Sequence, residues 1–164
     1  MRPMPESSGA ELALLLLGGF RSMVDTVQQE LAERGHGGVR PVHEFALRAI
    51  GAGADTASDL GRRLSVSKQA AAKTIAFLES HDYVRRESDP DDARRKRLRI
   101  TQRGDELLTV GQSLFDDVRA HWGRQIGIEE LEMLEAQLAK LVNSGYPRLS
   151  VPGWLAGELG ESDS

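Results

Sequence analysis

Residues 67–79 read SKQAAAKTIAFLE, residues 81–86 read HDYVRR and residues 89–103 read DPDDARRKRLRITQR. Ser67 has the residue type that caps helix N-termini, and the apolar side chains behind it recur at the spacing of one helix face. That face is formed by Ala71, Ile75 and Leu78. The first of the three segments therefore predicts a short capped helix, running to about His81, and the other two carry a cluster of arginines.

A second short helix is predicted directly before this one. Thr56 has a capping residue type and is followed three positions later by an acid, so a helix is expected from Ala57 to about Leu64. Residues 65–67 then leave room only for a tight turn. Two short helices joined by a tight turn are the helix-turn-helix pattern, in which the second helix enters the major groove of DNA.

The outward face of the second helix is polar and cationic. It carries Ser67, Lys68, Gln69 and Lys73. The alanines between them let the backbone lie close to a surface. A glutamine side chain suits adenine, and a lysine suits guanine or phosphate, so we favour DNA contact for this face. The alternative is a plain solvated helix face.

The arginine-rich residues that follow change from helical spacing to alternation. Leu98 and Ile100 fall on one side of an extended chain, and arginines fall on the other. Residues 83–87 can pair with this stretch, because residues 88–94 between them contain Asp, Pro and Ser, which favour turns. The pattern predicts a two-stranded wing with a charged tip.

Several side chains of the wing are candidates for DNA contact: Arg86, Asp92, Arg94, Arg95 and Arg97. Arg94 is the one that we favour most for the minor groove or the phosphates. The alternative is a hairpin in which these arginines pair with Asp89, Asp91 and Asp92. The two interpretations overlap, because Asp92 can both pair with Arg94 and aim it.

The chain is acidic as a whole, but its charge is segregated. It has 21 Lys and Arg against 25 Asp and Glu, a net charge of −4. Between Arg62 and Arg103 there are twelve basic and six acidic residues, a net of +6, which leaves nine basic and nineteen acidic residues elsewhere, a net of −10. Because a phosphate backbone responds to the local field, the acidic total does not exclude nucleic-acid binding.

Longer helices are predicted on both sides of this region. In order, the six predicted helices cover residues 10–34, 42–51, 57–64, 68–81, 102–125 and 129–143. Thr101 has the residue type of a cap for the fifth. Gly18 and Gly19 inside the first indicate a close helix contact or a bend, with a ligand groove as the alternative. The predicted fold class is therefore mainly α with a small β-wing.

Composition excludes several functional classes. The 164 residues suffice for one domain with a core, and the absence of cysteine excludes disulfides, thiolate catalysis and Cys-ligated zinc. The longest apolar run, residues 12–17, is far shorter than the roughly 20 residues of a membrane span, and no secretory signal is recognisable, so we expect a cytoplasmic protein with no membrane contact. The four histidines lack metal-ligand spacing, and no paired acids suggest a cleft. We expect no metal, no cofactor and no catalytic residue.

Three stretches of the chain resemble the MarR (multiple antibiotic resistance regulator) family of winged helix-turn-helix transcription factors. They are TASDLGRRLSVSKQ (56–69), LESHDYVRR (78–86) and DPDDARRKRLRITQRG (89–104). The most specific feature is Asp-x-Arg at the wing tip, followed by the apolar-Thr-x-x-Gly start of a helix. The order of helices agrees over roughly residues 10–144. Ala93 departs from the family pattern, which often has another arginine or a similar polar residue there, and so does the small Ala70-Ala71-Ala72 run.

The resemblance implies one MarR-like domain over residues 1–164. Residues 42–103 would form the winged helix-turn-helix, residues 10–34 and 105–144 the dimerisation helices, and residues 145–164 a C-terminal tail. The apolar residues assigned to the dimer interface are Leu12, Leu16, Phe20, Leu114, Trp122, Leu134, Leu138 and Leu141. In the family's wing, the acid that Asp92 matches orients an arginine, matched by Arg94, into the minor groove.

The implied function is that of a ligand-responsive regulator, most simply a repressor, acting as a homodimer on a palindromic operator. Its partners would be double-stranded DNA, a second copy of the chain and a small-molecule effector of unknown identity. The alternative is a winged-helix protein-interaction module that does not bind DNA. RNA binding is less favoured, because the segment lacks the interleaved aromatic residues that stack single-stranded bases.

Overall fold

The computed structural model describes residues 8–142, which form six helices and one two-stranded antiparallel sheet. The elements are α1 (Gly9–Glu33), α2 (Pro41–Gly51), α3 (Ala57–Leu64), α4 (Lys68–Ser80), β1 (Val84–Ser88), β2 (Lys96–Ile100), α5 (Gln102–Ile126) and α6 (Ile128–Leu141). This order confirms the predicted fold class. The predicted tail, residues 145–164, lies outside the described residues. No helix within residues 8–142 combines the length and the apolar composition of a membrane span.

Side-chain caps set the helix starts in the way that the sequence predicts. The hydroxyls of Thr56, Ser67 and Thr101 each accept a hydrogen bond from the backbone amide three residues on, at 3.1, 3.0 and 3.1 Å. At the start of α1, Ser8 and Glu11 form a capping box, which the sequence analysis did not anticipate. Between α5 and α6, Gly127 has a φ of 100°, so one long helical stretch is divided into two.

The core lies where the helix-turn-helix meets α2 and α5. Its largest fully buried side chains are Tyr83, Leu31, Leu47, Leu60, Leu64, Ile75, Leu78, Leu107, Val27 and Val84. The predicted inner face of α4 is confirmed, because Ala71, Ile75 and Leu78 are all buried. Burial of one such leucine or isoleucine contributes about 1.5–3 kcal/mol, so this face alone holds α4 firmly against the rest of the domain.

The helices α1 and α5 pack closely at the glycine pair of α1. A Cβ atom built on Gly19 would lie 3.4 Å from Cη2 of Trp122 in α5. Gly19 thus lies in a helix contact of the kind that the sequence predicts, but a Cβ atom would make only an ordinary van der Waals contact there, so the contact does not require glycine. Gly18 has no neighbour within 4 Å of such an atom, and nothing in the structure explains it.

The apolar residues assigned to a dimer interface fall into two groups. Leu12, Leu16, Leu134 and Leu141 are exposed, whereas Phe20, Trp122 and Leu138 are half-buried within the protomer. The assignment of Leu114 is corrected, because this side chain is only 6% exposed and belongs to the protomer's own core. Helical spacing identifies an apolar face, but it does not tell which chain covers that face.

Candidate nucleic-acid interface

The turn between α3 and α4 is tight because two residues allow it. Ser65 adopts the left-handed conformation, with φ 56° and ψ 39°, and ends α3. The amide of Val66 then donates to the carbonyl of Gly61 at 2.9 Å. A Cβ atom at Gly61 would lie 2.9 Å from the Val66 carbonyl oxygen, closer than real contacts allow. Gly61 thus lets the chain fold back and sets α4 beside α3.

The predicted outward face of α4 lies on the surface. Lys68, Gln69 and Lys73 are exposed, and their side chains form no hydrogen bond or ion pair within residues 8–142. Ser67 is also exposed, but its hydroxyl oxygen accepts the capping hydrogen bond from Ala70. The face therefore presents two unpaired ammonium groups and one free amide close to the N-terminus of a helix, where the backbone dipole also favours negative charge.

The wing forms beside the C-terminal end of α4. Val84 pairs with Ile100 and Ser88 with Lys96 at the two ends of the β1–β2 ladder. The first strand begins one residue later than predicted, although the carbonyl of the buried Tyr83 still accepts a hydrogen bond from the amide of Thr101 at 3.0 Å. The alternation of β2 is confirmed, since Leu98 is buried while its neighbours are more exposed.

Three of the predicted DNA-contacting arginines are held by acids of the same protomer. Arg86 Nε lies 2.7 Å from Glu79 Oε1 at the end of α4. Arg95 Nη2 lies 3.4 Å from Oδ1 of Asp55, the residue before the cap of α3. Glu79 lies on α4, and Asp55 lies far from the wing in the sequence. No local sequence pattern therefore indicates either ion pair. The pairing lowers the charge that Arg86 and Arg95 can offer a phosphate.

Arg97 is the most strongly held of the three. Its Nε lies 2.8 Å from Asp89 Oδ2 and 3.6 Å from Asp55 Oδ2. The backbone amide of Asp91 and then the Arg97 guanidinium hold the pKa of Asp89 below its usual range. The interpretation of the wing as an ion-paired hairpin is thus right for Asp89, whereas the carboxylates of Asp91 and Asp92 form no ion pair within residues 8–142.

Asp92 and Arg94 meet at the wing tip through the backbone. Asp92 Oδ1 accepts a hydrogen bond from the backbone amide of Arg94 at 3.0 Å, and the Asp92 carbonyl accepts the amide of Arg95 at 3.0 Å. The guanidinium of Arg94 is exposed and has no partner within residues 8–142. The acid therefore shapes the turn that presents Arg94, and it leaves the charge of Arg94 free.

The same winged helix-turn-helix is found in known proteins. Residues 38–95 match the family model described as MarR family. The matched residues run from α2 through β1 to the wing tip, so this part of the chain is similar to the MarR family. A single-residue mutant of MepR from S. aureus is 22% identical, with a TM-score of 0.62 over 79% of this chain and 95% of that chain. YusO from Bacillus subtilis is 20% identical, with a TM-score of 0.63 over 83% of this chain and 95% of that one.

A third similar structure is a complex of S. aureus MepR with DNA. It is 20% identical, and it has a TM-score of 0.60 over 81% of this chain and 96% of that chain. At sequence identities of 20–22%, the structural similarity to these proteins establishes the fold of this chain. Among the predicted contacts, the cations whose side chains are unpaired within the described residues are Lys68 and Lys73 on α4 and Arg94 at the wing tip. Lys96 at the start of β2 is also unpaired within that range.

A cavity of about 570 Å³ lies between α1 and α5. Its wall includes the Trp122 ring and the apolar side chain of Val118. Two acids, Glu30 and Asp117, also line it. Glu30 pairs with Arg34, whereas the Asp117 carboxylate has no partner within the described residues. Its lining residues come from two helices far apart in the sequence, so no local pattern marks the cavity apart from the groove that Gly18 and Gly19 indicate as an alternative.

Proposed function

We propose that this protein is a transcriptional regulator that binds double-stranded DNA as a homodimer. The observation that carries the proposal is the set of exposed polar and cationic side chains on α4. Lys68, Gln69 and Lys73 are unpaired within the described part of the chain, and so is Arg94 on the adjacent wing. Major-groove contact by α4 and phosphate or minor-groove contact by Arg94 fit the docking geometry of winged helices. The solved complex of MepR with DNA supports the same use of the fold.

The number of free cations gives a quantitative expectation. Lys68, Lys73, Arg94 and Lys96 have no side-chain partner within residues 8–142 of each protomer, so a dimer can neutralise about eight phosphates. Log K should then fall with log salt with a slope of about −7. Arg86, Arg95 and Arg97 add to binding only if they give up their acidic partners.

A second copy of the chain is the partner that the exposed apolar surface favours. Large apolar side chains are solvent-exposed at the start of α1 and around α6: Leu12, Leu14, Leu15, Leu16, Ile126, Ile128, Met133, Leu134, Leu141 and Val142. Clusters of this kind on a water-soluble domain mark an interaction surface. Two copies joined there would place their α4 helices in successive major grooves, about 34 Å apart on a palindromic operator.

The regulator is proposed to be a repressor that responds to a small molecule in the cytoplasm. The α1–α5 cavity is the candidate effector site, because an aromatic ring and an unpaired carboxylate favour an aromatic cation. A solved structure of MepR holds ethidium bromide, a ligand of that kind. Calorimetric titration with tetraphenylphosphonium, which does not intercalate into DNA, tests this site, and loss of binding in Asp117→Asn is expected.

Selection of bound duplexes from a random pool, followed by titration of the selected DNA at several salt concentrations, tests the main proposal. We expect a palindromic site and a steep salt dependence. Absence of duplex binding even at about 50 mM salt would overturn the proposal. Capture of a partner protein without any duplex binding would favour the protein-interaction module instead.

A further inference from the structure

Glu44 is a buried carboxyl on the face of α2 that packs against α5. The residue is only 7% exposed, and its Oε1 has no hydrogen-bond partner within residues 8–142. Buried polar atoms in folded proteins are almost always hydrogen-bonded, because an unpaired one keeps its full desolvation cost. A carboxyl in this position therefore points to a role beyond packing.

Gly111 of α5 makes the space that this carboxyl fills. A Cβ atom built on Gly111 would overlap Oε1 of Glu44. The carboxyl end of Glu44 is thus packed directly against the backbone of α5. We call this contact between Glu44 and Gly111 the α2–α5 junction. It connects α2, which packs on the helix-turn-helix, to the long helix that leads to α6.

The charged groups around the junction do not neutralise Glu44. Burial raises the pKa of Glu44 to about 7, and the field of Arg48, one turn along α2, offsets only part of that shift. The Arg48 guanidinium donates instead to Gln112 Oε1 of α5 at 3.3 Å, and Gln112 donates to Asp116 Oδ1 at 3.1 Å. Arg48 is therefore already engaged by α5.

The charged side chains of the other elements that pack on α2 contact groups other than Glu44. His43 of α2 stacks on Phe77 of α4. From α3, Arg63 donates to the carbonyl of Ala52. In β2, Arg97 pairs with Asp89, and Arg99 lies near Glu87 of β1. Within residues 8–142, Arg48 is thus the charged side chain whose field acts on Glu44.

We propose that protonation of Glu44 controls the α2–α5 junction and thereby the position of the helix-turn-helix relative to α5. The neutral carboxyl fits the close contact with Gly111. The ionised carboxylate requires water or a cation, and it therefore favours arrangements in which α2 moves away from α5. The effect on DNA affinity rests on the proposed function, whereas the effect on the junction does not.

The first experiment measures the junction without DNA. Thermal unfolding midpoints are recorded from pH 4 to 8.5 for the wild type, Glu44→Gln and the exposed control Glu33→Gln. Because the folded pKa lies above the ordinary 4.5, the stabilisation from neutral Glu44 is fully present below pH 4.5 and is lost as the pH rises to about 7. The midpoint of the wild type should therefore fall relative to Glu44→Gln across that window, and the Glu33→Gln difference should stay constant.

A direct titration keeps the test valid if Glu44→Gln does not fold. Carbon-13 NMR of the glutamate carboxyls in the full-length wild type should contain one resonance with a midpoint near pH 7. If all glutamates titrate in their ordinary acidic range, or if the unfolding curves of wild type and Glu44→Gln run parallel, the proposal is overturned.

The second experiment measures affinity for the selected duplex at constant ionic strength. From pH 5 to 7.5 the dissociation constant of the wild type should change by up to about tenfold more than that of Glu44→Gln, since one pK unit of coupling corresponds to a factor of ten. Identical pH dependence in both proteins overturns the coupling to DNA. If neither protein binds duplex at any pH, the proposed function fails, and the unfolding and NMR results alone decide the junction.

Discussion

The ring of His43 stacks on the ring of Phe77, with centroids 3.7 Å apart and planes inclined by 4°. His81 also stacks on Phe77, at 4.0 Å, and the His81 ring lies 6.2 Å from that of Tyr83. The guanidinium of Arg103 lies 5.0 Å from the centre of the Tyr83 ring. These contacts join α2, α4 and α5 through side chains that lie far apart in the sequence, and they fix the C-terminal end of α4.

His43 should make the protein sensitive to acid. Burial lowers the pKa of His43 to about 4, and its Nδ1 accepts a hydrogen bond from the backbone amide of Arg40 at 2.9 Å, which requires the neutral ring. The stabilisation is therefore present above pH 6.5 and is lost as the pH falls toward 4. Unfolding in urea should show a loss of up to about 3 kcal/mol over this range.

The matched control for His43 is the exposed His121. His43→Gln should unfold with a much weaker dependence on pH below 6.5 than the wild type, whereas His121→Gln should follow the wild type. An unchanged acid response in His43→Gln would refute this role. The window overlaps that of Glu44, but the two effects have opposite signs, so each needs its own variant.

Arg94 and Arg95 should differ in their effect on DNA binding although they are adjacent. The guanidinium of Arg94 has no partner among residues 8–142, whereas that of Arg95 lies 3.4 Å from Asp55. Arg94→Ala should weaken binding to many sequences and reduce the salt slope of the dimer by about 2, which corresponds to one phosphate contact per protomer. Arg95→Ala should change the slope less. Wild-type affinity in Arg94→Ala would show that the wing tip does not contact DNA.

Gln69 and Lys73 should separate sequence preference from general affinity. Gln69 lies in the first turn of α4, and its amide has no partner in the part of the chain that the structure describes. A bidentate contact of glutamine with adenine contributes about 1–3 kcal/mol of discrimination. Selection from a random pool with Gln69→Ala should therefore relax the preference at one position of each half-site. Lys73→Ala should weaken all sequences alike if it contacts phosphate. Identical selected motifs for Gln69→Ala and the wild type would count against base contact.

Substitution of Leu16 should change the association of two copies, whereas substitution of Leu114 should change the stability of the protomer. Leu16 is 46% exposed, whereas Leu114 is 6% exposed in the protomer core. Leu16→Glu should shift sedimentation from dimer to monomer with little loss of protomer stability. Leu114→Ala should reduce the free energy of unfolding by about 2–5 kcal/mol and leave the association unchanged. A dimeric Leu16→Glu protein would place the interface elsewhere.

The sequence by itself determined the elements of this protein. The caps at Thr56, Ser67 and Thr101, the buried face of α4 and the alternation of β2 were all predicted and are all present. Each depends on residues within a few positions of one another, because hydrogen-bond capping and helical or strand periodicity act over one or two turns. The candidate DNA-contacting face of α4 could be predicted for the same reason.

Only the tertiary structure decided which charged groups are ion-paired and which apolar groups are buried. Asp55 reaches Arg95 across forty residues, and Glu44 meets Gly111 on a different helix. Leu114 has the same spacing as an interface residue, yet the protomer buries it. Ion pairing and burial depend on which elements meet in space, and the chain reaches those contacts only after its helices have packed.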